Sequence, residues 1–436
     1  MPHSCLYRYT MYAFLVTGIS SFYPVFAEAS DENSEVPLED VQRFSNAIHQ
    51  IKKYYVKPVD DKELFNNAIR GMLTGLDPHS AYLDEDELKE LQTSTTGEFG
   101  GLGLEVTMQD GVIKVITALV DTPASKAHIK SGDYIIKIGA TSVHGLNLQQ
   151  AVTLMRGKIG SEVALTLLRK GTPKPINLSL HREKIVIQSV KSSLLDQKYG
   201  YVRLSQFQAL TSEEMIKGID QLQKEAGGSL KGLILDLRNN PGGLLDSAIQ
   251  VSDSFLDKNP KKEELIVYTE GRLPGSRFTA LANTGDILHN APLVVLINNG
   301  SASAAEIVAG ALKDNKRAII VGTQSFGKGS VQTVLPLDDK TAIKLTTALY
   351  YTPSGISIQA KGITPDIYVD EMTIPNSVLT KTNIDDFSEA SLQGHIANKT
   401  ESKAEKTSDK DQALLHEDYQ LYAALTILKG LAVAHR

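Results

Sequence analysis

Leu293-Val-Val-Leu-Ile-Asn-Asn-Gly-Ser-Ala-Ser303-Ala-Ala-Glu306 passes from five consecutive apolar residues through a polar turn into helix formers that continue to Lys313. Such an apolar run, bounded by Asn and Gly, reads as a strand. The strand–turn–helix context presents a hydroxyl at a sharp turn, beside the free N–H groups of a helix start. Those N–H groups can stabilise an oxyanion. On either side, apolar strands at 232–237 and 318–321 interleave with helical stretches at 246–255 and 304–313. Residues 183–370 therefore read as an α/β core.

A serine is inert at its own pKa and needs a base. One lysine stands out: Gly322-Thr-Gln-Ser-Phe-Gly-Lys328-Gly-Ser330, directly after the strand 318–321. The stretch nearly matches a phosphate-cradling G-x-x-x-x-G-K-[ST] loop, but Gly329 occupies the place of the Ser or Thr that holds magnesium. Such a loop also opens a helix, whereas Val331-Gln-Thr-Val-Leu-Pro336 is β-branched and ends in proline. A nucleotide triphosphatase is excluded on both counts. A lysine can instead serve as base when burial lowers its pKa. Histidine is the competing route. Ten are present, and His79 in Asp77-Pro-His-Ser80 is the most motif-like, though it lies far in sequence from Ser303.

Outside the core, residues 36–95 carry helical patterning, with Val41, Phe44, Ile48, Ile51 and Tyr55 at spacings of three and four. Leu64, Ala68, Ile69 and Met72 repeat it beyond Pro58, and the acidic run at 84–87 reads as a solvated first turn rather than a metal site. Residues 96–182 are β-rich, with strand-like runs at 102–108, 112–118, 133–138, 162–169 and 175–181 and one helix over Leu148–Met155. Residues 371–412 are a polar linker rich in Ser, Thr, Lys, Glu and Asp. A helical segment closes the chain at 413–436, where Leu421, Leu425, Leu428 and Ala432 form an apolar stripe. Following a linker, that stripe is expected to bury itself against another subunit with help from the N-terminal helices, giving a homo-oligomer. Folding back onto its own core is the alternative.

The composition narrows the class. The 436 residues are 42% hydrophobic and 22% charged with a net charge of −6, so a sizeable core forms and a nucleic-acid partner is not expected. The one cysteine, Cys5, excludes disulfide scaffolds and Cys-ligated zinc, and there is no HExxH. Arg8, the apolar run Met11-Tyr-Ala-Phe-Leu-Val-Thr-Gly-Ile19 and the small residues Val25 and Ala27 make a signal peptide over residues 1–27. Cleavage after Ala27 removes Cys5, which suits an oxidising, periplasmic setting.

The chain resembles the carboxyl-terminal processing peptidases, the tail-specific serine proteases. The resemblance rests on Gly71-Met-Leu-x-Gly-Leu-Asp-Pro-His-Ser80, Phe99-Gly-Gly-Leu-Gly-Leu104, Asp236-Leu-Arg-Asn-Asn-Pro-Gly-Gly243, Gly300-Ser-Ala-Ser-Ala-Ala-Glu306 and Phe326-Gly-Lys-Gly-Ser-Val-Gln332, in that order. It runs from about Val41 to Asp370. One departure is Ala305, where many members carry a further serine. The implied fold is α/β and multidomain: an N-terminal helical segment, a PDZ domain over 96–182, an α/β (ClpP/crotonase-like) protease core and a C-terminal helix.

The resemblance implies Ser303 as nucleophile, Lys328 as general base and Gln332 as the residue that orients the lysine. It implies an oxyanion hole at the N–H groups of Ala304 and a glycine of the 241–243 turn, taken as Gly243. If 328–332 is extended, positions 328, 330 and 332 share a face. In the PDZ domain, Gly101, Leu102, Gly103 and Leu104 are the carboxylate-binding loop, and an incoming peptide adds as a strand. The competing dinucleotide fingerprint fails, because position 106 is valine and no helix follows. Arg156, after the PDZ helix, matches a regulatory position near the ligand groove. The family implies no cofactor and no metal. It implies protein or peptide substrates taken by their C-terminal tails, and a lipoprotein adaptor in some members. A non-catalytic PDZ scaffold with a protease-like fold is the reading from a different class.

Overall fold

The computed structural model describes residues 37–258, 264–283, 285–372 and 409–434. The expected signal peptide and most of the expected linker lie outside the described residues. The chain divides into two compact units at Ala68 and Ile69. In the first, the helix Leu38–Tyr54 places Glu39 and Asp40 in its first turn and Lys52 and Lys53 in its last, complementing its dipole. Its apolar stripe is largely solvent-facing: Val41, Phe44 and Ile51 are all exposed, and Phe44 meets Phe65 edge to ring at 6.5 Å between centroids.

The second unit contains the β-rich domain and the α/β core. In the former, strands Leu104–Gln109, Val112–Ala118, Tyr134–Ile138, Glu162–Leu168 and Ile176–His181 form one antiparallel sheet in that order. Leu148–Met155 is the expected helix, begun by a capping box between Asn147 and Gln150. Ile113, Val115, Ile135, Leu165 and Leu167 fill the interior with Ala151 and Met155 from the helix. Leu104–Gln109 is an edge strand: among the described residues only Val112–Ala118 pairs with it. The segments entering and leaving the domain, Glu98–Gly101 and Glu183–Val186, pair with each other, so the domain is tied down at both ends.

The core is a six-stranded sheet in the order Val190–Leu195, Tyr199–Leu204, Gly232–Asp236, Leu293–Ile297, Ile319–Gly322, Ile367–Tyr368, parallel after the first pair. Alternate side chains point to opposite faces. Leu233, Leu235, Leu293, Val295 and Ile297 pack under the helices Thr211–Glu225, Leu245–Asp253 and Ala304–Asp314. Ile234, Val294, Leu296 and Val321 face the other way. That second face is covered by the helix Tyr419–Ala434, whose Leu421, Ala424, Leu425 and Leu428 are buried against it. This corrects the expectation of an intersubunit stripe. The strands are apolar at every position, so both faces demand cover, and the C-terminal helix supplies the second.

A second antiparallel sheet carries Ala342–Tyr351 between Ala81–Leu83 and Ser330–Pro336, with Leu265–Gly271 and Phe278–Leu281 beyond. Ala342–Tyr351 thereby joins the strand after Lys328, on one side, to the strand that follows Ser80, on the other.

Candidate active site

Ser303 sits where the strand Leu293–Ile297 has turned and the helix Ala304–Asp314 begins. Its backbone is at φ 55°, a left-handed conformation that is unusual for serine and is imposed by the surrounding bonds. Asn298 N donates to Ser301 Oγ at 3.0 Å, Ser301 Oγ donates to Leu237 O at 2.8 Å, and Ala302 N donates to Asn240 O at 2.9 Å. Ser301 is therefore a buried structural hydroxyl, while Ser303 opens onto a cavity of about 550 Å³. Lys328, Gln332, Gly243 and Ala304 line the same cavity.

The two halves of this cluster come from distant loops, and Glu306 joins them. Its carboxylate is fully buried and accepts four hydrogen bonds: Oε2 from Ser303 N at 2.8 Å and Lys328 N at 2.9 Å, Oε1 from Ser325 Oγ at 2.6 Å and Gly327 N at 2.7 Å. Burial pushes this carboxyl above the usual glutamate range, and the four donors work against that shift. Tyr350, also buried, donates its hydroxyl to Lys328 O. Glu306 was visible in the sequence only as part of a motif, because its role depends on a loop pairing that no local pattern reveals.

Lys328 is half-buried, and burial lowers its amine from the ordinary lysine value, followed by the charge of Lys344, while Asp77 opposes. Its flanking glycines serve packing: a side chain on Gly329 would put Cβ 2.4 Å from Gln359 N, and Gly327 is at φ 94°. A strand follows, Ser330–Pro336, rather than the helix of a phosphate loop.

Gln332 departs from expectation. Its amide donates to Ser330 Oγ at 2.9 Å and Thr346 Oγ1 at 3.4 Å, and among the described residues no hydrogen bond joins it to Lys328. The strand starts only at Ser330, so Lys328 lies in the turn before it and takes its place from Glu306 instead of from strand alternation.

On the other side of Ser303, Gly242 packs so closely that a Cβ there would lie 2.7 Å from Ser303 Cβ. Gly242 N donates to Asn240 Oδ1 at 2.9 Å. Gly243, at φ 144°, would place a Cβ 2.0 Å from Phe207 O, so no larger residue fits. Behind this turn, the Arg238 guanidinium joins Asp236 at 2.7 Å and Asp418 at 2.7 Å, linking the turn to the C-terminal helical segment.

Sequence distance hid the segment 77–80. Ala81 pairs with Lys344, and Asp77 accepts from Ser80 Oγ at 2.6 Å and Thr346 Oγ1 at 3.1 Å, which ties this segment to the strand carrying Lys344. Burial first, and then the Lys328 charge, hold His79 below the ordinary histidine value.

In the β-rich domain, Gly103 is at φ 73°, and a Cβ there would fall 2.3 Å from Thr122. Leu102 O accepts from Ala124 N and Gly103 O from Leu119 N, both at 2.9 Å, which leaves the loop's carbonyls engaged and opens it toward the edge strand beginning at Leu104. Gly101 pairs with Glu183. Arg156 is not a solvated helix end: its guanidinium lies 4.4 Å over the Phe99 ring, in the strand that leads into the domain.

Three family models match the chain: Peptidase family S41 over residues 198–369, PDZ domain over 100–180, and Activating protease CtpB N-terminal domain over 11–87. A carboxy-terminal-processing protease of Bartonella bacilliformis is 45% identical over 419 residues, covering 94% of each chain. The carboxy-terminal processing protease CtpA of Bacillus subtilis is 39% identical over 326 residues, 74% of this chain and 68% of that one. Among solved structures, a photosystem II D1 C-terminal processing protease is 32% identical with a TM-score of 0.44, over 75% of this chain and 86% of that one.

Proposed function

The chain belongs to the carboxy-terminal processing proteases of peptidase family S41, serine endopeptidases with a PDZ domain, and we propose that it cuts exported proteins in the periplasm from a centre built on Ser303, Lys328 and Gln332. The observation that carries this reading is Glu306, which ties the Ser303 N–H and the Lys328 N–H to one carboxylate oxygen beside a shared cavity.

In the proposed reaction the neutral Lys328 amine takes the Ser303 Oγ proton as the oxygen bonds to the scissile carbonyl carbon. The oxyanion is received by the N–H groups of Ala304 and Gly243. Gly243 is favoured over Gly242 because the Gly242 N–H already donates to Asn240. The lysine ammonium then protonates the leaving amine, and water releases the acyl group by the same base. Gln332 acts through the strand that follows Lys328, its amide held to Ser330 and Thr346. Export rests on the signal peptide at 1–27.

The PDZ loop at Gly101, Leu102, Gly103 and Leu104 takes the substrate's terminal carboxylate, and the peptide pairs with the open edge of Leu104–Gln109. Arg156 couples that event to the entry strand through Phe99. A homo-oligomer and a lipoprotein adaptor remain within the proposal as partners.

Casein digestion by the mature chain, beside Ser303→Ala and Lys328→Ala, tests the centre. Cleavage by wild type alone is expected, and cleavage by either variant rejects it. No cleavage by any of the three returns the PDZ scaffold. Peptides ending in a free carboxylate are expected to be cut faster than their amides, and equal rates reject tail recognition.

A further inference from the structure

The cavity around Ser303 holds a second lysine. Val334 pairs with Lys344 and Gln332 with Thr346, which puts these residues on one face of two strands. Val334, Gln332 and Lys344 line the cavity with Ser303 and Lys328. The Lys344 backbone is fixed from both sides, by Val334 in one neighbouring strand and Ala81 in the other. Among the described residues it forms no side-chain hydrogen bond and no ion pair. A lysine on a fixed backbone, with no hydrogen-bonded or ion-paired partner among the described residues although Asp246 lines the same cleft, shares the site with a lysine that must be neutral, and like charges in one site disfavour each other.

We propose that Lys344 is a positioning residue for the base, a second cation in the cleft whose charge opposes protonation of Lys328 and keeps that amine free to accept the Ser303 proton. The proposal rests on the assignment of Lys328 as base. When Ser303 attacks, its O–H bond breaks as the Oγ–C bond forms, and the proton passes to the Nζ lone pair. That lone pair exists only on the neutral amine.

Burial is the largest influence lowering the Lys328 amine, and among the charged and titratable groups around it, with Asp246 also lining the cavity, Lys344 is the charge that opposes its protonation. Glu306 and Tyr350 meet Lys328 at its backbone N–H and carbonyl. Asp77 pulls toward the ammonium, but its oxygens already accept from His79 N, Ser80 N, Ser80 Oγ and Thr346 Oγ1. His79 is itself held below its ordinary value, first by burial and then by the Lys328 charge. After burial, the charge of Lys344 is the next largest influence lowering the Lys328 amine.

The test is kcat/KM on a quenched peptide across about pH 5 to 10, for wild type, Lys344→Gln and Lys344→Arg, alongside the rate of Ser303 phosphonylation by a fluorophosphonate. The Gln variant is expected to move the acid limb of both profiles up by about one pH unit, with roughly tenfold lower activity near neutrality that recovers in alkali. The Arg variant keeps the charge and is expected to keep the wild-type limb. A Gln variant with an unmoved limb, or with equal loss at every pH, overturns the proposal; so does an Arg variant whose limb moves. Activity in Lys328→Ala is a separate result, which would remove the base assignment itself.

Discussion

Glu306→Gln isolates the element that holds the site together. The carboxylate faces four donors, two on each oxygen. A glutamine supplies one acceptor oxygen and one donor amide. With the amide toward Ser325, that hydroxyl can rotate and accept, but Gly327 N then points at an N–H₂ group without an acceptor. The reverse orientation orphans both Ser303 N and Lys328 N. The better arrangement leaves one buried backbone N–H unpaired, costing about 1–3 kcal/mol, which a chain of this size shows as a melting shift of several degrees. The activity effect is expected to be larger, because both proposed reacting groups hang from the same carboxylate and a displacement of about 1 Å costs on the order of 100-fold. The assay is kcat/KM on a quenched peptide together with thermal unfolding. Loss of at least about tenfold in rate, from protein that is folded at the assay temperature, is expected. Wild-type kcat/KM in Glu306→Gln would refute the claim that this carboxylate aligns the nucleophile and the base.

Burial lowers the Lys328 amine, so the folded chain holds that proton less tightly than the unfolded chain; stability should rise with pH toward the ordinary lysine value of 10.5. Lys328→Met should be inactive yet no less stable at neutral pH, and it should lose that part of the pH dependence; urea titrations at two pH values read both. Arg238→Ala strands the fully buried Asp236 and releases Asp418, at an expected cost of about 3–5 kcal/mol, measured by denaturant midpoint. Gly243→Ala would drive Cβ into Phe207 O and should abolish cleavage, whereas Gly275→Ala, with nothing within 4 Å, should leave peptide cleavage unchanged.

Local pattern carried much of the architecture. The strands Val112–Ala118 and Leu293–Ile297 and the helix Leu148–Met155 fall where periodicity puts them. The stripe Leu421, Leu425, Leu428 was legible as a buried face, but its partner was not. The missing clue was in the strands themselves: Ile234, Val294 and Leu296 alternate with residues that already face the other helices, so a second cover was required. Ser303 and Lys328, which line one cavity, stood out in the sequence because turn and glycine chemistry mark them locally. What escaped were relations across long loops: Ala81 with Lys344, and Glu306 with Lys328. The expected reach of Gln332 toward Lys328 is not made because strand alternation does not extend back through a turn that Glu306 and Gln359 hold in place.

The most direct test of the account is the fate of a fluorophosphonate on the mature chain, located by peptide mass and followed over time in wild type, Ser303→Ala, Lys328→Ala and Lys328→Arg. The account predicts a single adduct on Ser303 in the wild type, none in Ser303→Ala, and labelling slowed by about 100-fold or more in both lysine variants, since alanine has no base and guanidinium stays protonated. An adduct on Ser301, or Ser303 labelled at the wild-type rate without Lys328, would contradict it.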